Sequence, residues 1–99
     1  LVFLARQTFG DRAVEQEVLG LFCEQAPRLT AAVHAAMGAE RARQAHRLVG
    51  AARAIGAARV AAAARALEIE PDVAPLEALD GAVIEALGFI ARLEESRPA

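Results

Sequence analysis

Alanine supplies roughly a quarter of the 99 residues, and no residue enters a helix at lower cost. The residues that fill strands are scarce: Tyr and Trp are absent and only four Phe are present. An all-α fold follows, with a core built mostly of Leu, Val, Ile and Ala, small enough to let helices approach closely. Hydrophobic residues make up 56% of the chain against 24% charged, which excludes disorder and provides for a modest core. At this length the expectation is a single domain over residues 1–99, without room for two lobes and a cofactor cleft.

Helix stop and start signals fall near Gly10-Asp11, Met37-Gly38, Ile55-Gly56 and between Pro71 and Pro75. The first piece, about residues 1–8, is short and apolar at Val2, Leu4 and Ala5, and reads as a lid on one end. The second, about 11–37, starts at Asp11 as a cap and carries a stripe of Val14, Val18, Leu21, Phe22, Leu29, Val33 and Ala36. Pro27 lies inside that stripe and predicts a kink or a break into two helices. The third, about 39–55, repeats Ala45, Leu48, Ala52 and Ile55 at steps of three, four and three, the spacing of a bundle seam. Gly56-Ala57 predicts a tight turn into a fourth helix, about 57–69, burying Val60, Ala63 or Ala64, and Leu67. The last starts between 72 and 76, signalled by Asp72 or Pro75, and ends near 96. It buries Leu76, Leu79, Val83, Leu87, Ile90 and Leu93, and its Gly81 and Gly88 suggest close helix contact. The predicted architecture is an antiparallel four-helix bundle with a short extra N-terminal helix.

Several function classes drop out. Charged or polar residues interrupt every apolar run before the roughly 20 residues a membrane span needs. A net charge of −2, with all 11 basic side chains Arg, offers no concentrated field for a nucleic acid. One cysteine, Cys23, makes neither an internal disulfide nor a Cys-based zinc site and reads as a small core or boundary residue. Nothing at the start reads as a signal peptide, so the cytoplasm is the expected compartment. Thr8, Thr30 and Ser96 have no His and Asp spaced for a triad, and no glycine-rich phosphate loop is present. His34 and His46 lack the Glu-x-x-His spacing of di-iron bundles, so no metal site is expected.

His46 stands apart through its neighbours. The positions one helical turn away are Ala42, Arg43, Val49 and Gly50, so three of four are small or medium and the ring stands proud of the surface. It follows Ala45 of the seam, which sets it at the edge of the core with one nitrogen toward water. Gly50 has no evident reason to interrupt a helix unless another molecule must come close. His34, without such context, reads as solvent-facing or capping.

The run Ala45-His46-Arg47-Leu48-Val49-Gly50-Ala51-Ala52-Arg53-Ala54-Ile55-Gly56-Ala57 resembles the signature of histidine-containing phosphotransfer (HPt) domains. The helices over 22–36 and 60–68 fit the family layout, so the resemblance covers nearly the whole chain. It implies a four-helix bundle without catalytic machinery of its own, not an enzyme. Its exposed His46 would carry a phosphoryl group on Nε2 between a sensor kinase or hybrid-kinase receiver and a response-regulator receiver. No cofactor is implied for this chain, and magnesium is expected in the partner receiver domain. Glu68 matches the carboxylate that in some relatives lies behind the histidine; accepting from Nδ1–H, it would fix the tautomer. Glu68 equally fits a solvated pair with Arg65, three residues away.

The family usually has Lys where this chain has Val49, and no Lys exists elsewhere. Either affinity for the phosphorylated state is reduced, or Arg43 or Arg53 supplies the charge. The resemblance implies a docking patch of Ala39, Ala42, Val49 and Gly50 with Ala32 or Ala35, while Arg59 and Arg65 read as outer surface. The protein is expected to be a monomer. The alternative is a non-phosphorylated adaptor that docks receiver or kinase domains, for which Val49 is the motive; a weaker one is a dimerising scaffold using Gly81 and Gly88.

Overall fold

The structure, a computed structural model, describes residues 12–95; the helix expected over 1–8, the Asp11 cap and the end near 96 lie outside them. Four helices follow in order: α1 Arg12–Ala35, α2 Gly38–Ile55, α3 Ala58–Ile69 and α4 Leu76–Glu95. No strand occurs among the described residues. Each helix packs on the next and α4 returns to α1, closing a four-helix bundle, the fold class expected from the sequence.

The core is apolar throughout: no polar or charged side chain is buried among the described residues. Helix α2 contributes Ala45, Leu48, Val49, Ala52 and Ile55, and α3 adds Val60, Ala64 and Leu67. On α4 Leu79, Val83 and Ile90 are buried, with Leu76, Leu87 and Leu93 packed at the margin. On α1 the buried stripe is Leu19, Phe22, Ala26 and Val33. Val14 and Leu21, expected inside, are exposed, because steps of three, four and seven from Leu19 define a face that neither shares.

Pro27 does not break α1, which runs uninterrupted for 24 residues. The proline removes one backbone donor, yet Phe22, Ala26 and Val33 on either side are all buried, so packing on both sides keeps the helix continuous. The Thr30 hydroxyl donates to the Ala26 carbonyl at 2.7 Å in the same turn.

Two polar devices tie the ends together, and neither was legible from spacing. Arg41 donates from Nε to the carbonyls of Val33 (2.9 Å) and Ala36 (2.8 Å) and from a terminal nitrogen to that of Pro71 (3.0 Å). It thereby satisfies the C-terminal end of α1 and pins the α3–α4 connection. Of the two expected start signals, Pro75 directly precedes the last helix, whereas Asp72 accepts from the backbone N–H of Gly38 at 3.0 Å. It caps α2 from across the fold, where Met37 makes no side-chain cap of its own. Gly81 and Gly88 do not mediate close helix contact within the bundle. A side chain at Gly81 would meet nothing, and one at Gly88 would meet only the end of the Arg92 side chain at 3.5 Å.

Gly56 ends α2 in the left-handed conformation, φ 70° and ψ 27°. Its N–H donates to Arg53 O at 3.2 Å, and that of Ala57 to Ala52 O at 2.9 Å, the pair of bonds that closes a helix and reverses the chain. Gly56→Ala puts a Cβ into that conformation and is expected to lower stability by about 1–2 kcal/mol. An earlier urea midpoint with unchanged slope is the measurement that checks it.

Candidate functional site

The seam of α2 fixes where its remaining side chains point. With Ala45, Leu48, Val49 and Ala52 buried, His46 emerges on the flank of the helix, its side chain 70% exposed. The Nδ1–H of its ring donates to Oε2 of Glu68 at 2.7 Å. An ionised carboxylate only accepts, so this bond assigns a proton to Nδ1; in the neutral ring the Nε2 lone pair is then directed outward. Glu68 lies on α3 one residue beyond the buried Leu67 and is 22% exposed. Its other oxygen, Oε1, accepts from Arg65 at 3.2 Å. Both partners considered for Glu68 from the sequence are therefore engaged at once, one on each oxygen.

The surface around the ring is low. Ala42 is half-buried and Gly50 exposed one turn to either side, and a side chain built at Gly50 would meet nothing within 4 Å. No neighbour in the fold demands glycine there. A groove of about 580 Å³ runs between α1 and α2 beside the histidine. Gln25, Arg28, Leu29 and Ala32 of α1 and Gln44, Arg47, Gly50 and Ala51 of α2 line it. Ala39 and Ala35 are exposed nearby in the chain.

Two of the candidate residues are placed otherwise than the sequence suggested. Val49 is 2% exposed and belongs to the core cluster; it presents no docking surface, because the seam continues through it. Arg43 reaches Glu40, three residues before it, with Nε at 2.9 Å, and Gln44 donates to the same carboxylate at 2.8 Å. The hydrogen bond from Gln44, then those and the charge of Arg43, hold the Glu40 carboxyl below its ordinary range. Arg43 is thus occupied away from the ring. Arg53, two turns beyond His46, is exposed and makes no side-chain hydrogen bond or ion pair with another described residue.

His34 forms a second histidine–carboxylate pair that spacing did not reveal. Its Nε2–H donates to Asp80 of α4 at 2.7 Å, joining α1 to α4 with both side chains about 40% exposed. No signal in the sequence links the two residues, since 46 positions and three inter-helix connections separate them. The pairing protonates the opposite nitrogen from that in His46. Cys23 is half-buried; burial, and then the charge of Glu94, push its thiol above the ordinary range, which disfavours the nucleophilic thiolate.

Among the described residues no group of three or more His, Cys, Asp or Glu is placed to hold a metal ion. None of the described helices is long and apolar enough to cross a membrane.

Residues 17–95 match the family model for the Hpt domain. No curated protein and no solved structure matches the chain. The matched stretch takes in nearly all of the bundle, including His46, Glu68 and the whole of α2 and α3. The chain therefore belongs to the Hpt-domain family, the histidine phosphotransfer carriers of two-component signalling.

Proposed function

We propose that His46 is the phosphoacceptor and that the chain passes a phosphoryl group between receiver or kinase domains of a phosphorelay. The observation that carries this is the His46–Glu68 bond: an exposed ring whose inner nitrogen is engaged by a carboxylate and whose outer nitrogen has no partner among the described residues. In the proposed step the Nε2 lone pair attacks the phosphorus of a receiver's aspartyl phosphate. The N–P bond forms as the P–O bond breaks, and the aspartate carboxylate leaves with the electron pair. Nδ1 keeps its proton throughout, so the ring becomes cationic. Glu68 then faces that new charge across the same hydrogen bond, which charge assistance strengthens roughly twofold. The return step, to an aspartate on a second receiver, is the reverse sequence.

Magnesium and the acidic pocket are assigned to the receiver, and the bundle contributes presentation. Gly50 supports this division, because a glycine inside a helix costs about 1 kcal/mol relative to alanine and no internal contact requires it. Its use is explained by another protein approaching the ring. Ala42 and the groove, where Leu29 and Ala32 alternate with Gln25, Arg28, Gln44 and Arg47, complete a low surface of mixed polarity suited to a transient encounter.

Incubation with phosphoramidate, a small P–N donor, and separately with a radiolabelled phosphoryl-receiver, is expected to leave an acid-labile, base-stable label. The label is lost in His46→Ala and retained in His34→Ala. Equal label on His46→Ala sinks the assignment, and no label on the wild type from either donor leaves a docking adaptor as the function.

Glu68→Ala removes the acceptor for Nδ1–H. Nitrogen NMR of the unphosphorylated protein is expected to show His46 moving toward the Nε2–H tautomer, with phosphoryl uptake slowed. Stability is expected to fall by no more than about 1 kcal/mol, as for other solvent-accessible polar pairs.

A further inference from the structure

A carboxylate held by one hydrogen bond is a poor positioning device. The last torsion of a glutamate is broad and nearly two-fold, so either oxygen can turn toward the ring, or both can turn away to water. Glu68 is not held by one bond. Oε2 meets His46 of α2 and Oε1 meets Arg65, one turn earlier on α3. With a donor on each oxygen, rotation of the carboxylate breaks at least one contact. No other described residue forms a hydrogen bond or ion pair with Glu68, so the second anchor is Arg65 alone. Spacing on the helix made this arginine look like part of a solvated outer face, and the bond across to α2 gives it a different place.

The other cations near the site do not duplicate it. Arg43 is on Glu40, Arg59 of the same helix reaches Glu85 of α4 at 2.9 Å, and Val49 is in the core. The chain has no lysine. We propose that Arg65 is a positioning residue: by holding Oε1 of Glu68 it fixes Oε2 on Nδ1–H and keeps the His46 ring in the tautomer whose Nε2 is free. The transfer consequence rests on the reading of His46 as phosphoacceptor; the tautomer consequence does not.

The test is nitrogen NMR of the unphosphorylated protein in alkaline buffer, which reads the tautomer of each neutral ring. In the wild type His46 reads as Nδ1–H and His34 as Nε2–H, so His34 is an internal standard. In Arg65→Ala a substantial Nε2–H population is expected on His46 while His34 stays unchanged. Arg65→Lys, which keeps a charged donor on a long stem, is expected to restore much of the wild-type ratio. The melting temperature is expected to shift by no more than about 2 °C, because an exposed pair one turn apart contributes little. A helix-surface ion pair without a positioning role would leave the His46 tautomer as it was, and that result overturns the proposal. Phosphoryl uptake from phosphoramidate, measured on the same variants, is expected to fall several-fold in Arg65→Ala and recover in Arg65→Lys. A tautomer response without any wild-type uptake removes the phosphotransfer reading and leaves the positioning of the ring standing.

Discussion

The geometry of this protein depends on the apolar seam of α2. Ala45, Leu48, Val49, Ala52 and Ile55 are all buried, and α2 packs against both α1 and α3. A helix held on two sides cannot rotate about its axis without exposing part of that set, and each buried aliphatic side chain contributes about 1.5–3 kcal/mol toward keeping it in place. The direction of His46 is therefore inherited from its neighbours in the core. One residue from Ala45 and two from Leu48, it has only the flank of the helix available to it.

Because the core excludes polar groups entirely among the described residues, every polar function has been pushed to the seams between helices. Glu68 follows Leu67 out of the core on α3 as His46 follows Ala45 on α2, and the two side chains meet across the helix pair at 2.7 Å. The partial burial of Glu68 matters here. Its carboxylate is shielded from water more than the ring it serves, which strengthens the hydrogen bond relative to a fully solvated one, while the outer nitrogen of the imidazole keeps its access. The asymmetry of the pair, with an inner acceptor and an outer base, comes from packing rather than from any property of histidine alone.

The parts of this arrangement that were legible in the sequence are those governed by local periodicity. Ala45, Leu48, Ala52 and Ile55 repeat at bundle spacing, and Gly56 stands where a helix must reverse, so α2 and its turn were readable in advance. Glu68 was reached through a family resemblance rather than through spacing, because its partner lies on another helix. Val49 was misread as surface because a position one turn from an exposed residue was treated as sharing its face, whereas the broad stripe of α2 takes in both 48 and 49. Arg41, Asp72 and the His34–Asp80 pair were invisible for a common reason. Each depends on how the connections bring distant backbone and side chains together, and no single helix encodes that.

The absence of lysine gives the arrangement its last constraint. Arg28, Arg43, Arg59 and Arg65 each lie on a glutamate, and Arg41 is absorbed by backbone carbonyls. Arg47 and Arg53 form no such bonds with described residues. Arg53 follows His46 by two turns, about 10 Å along the axis, and Arg47 lines the groove between α1 and α2. Two guanidinium groups without fixed partners among the described residues thus lie on the same helix as the imidazole, instead of one ammonium beside it. On the proposed reading they favour the approach of an acidic partner surface, where charge accelerates encounter more than it tightens the final complex. Charge at the reacting nitrogen is then governed from behind, through Glu68, so that orientation of the ring and attraction of the partner are carried by different residues.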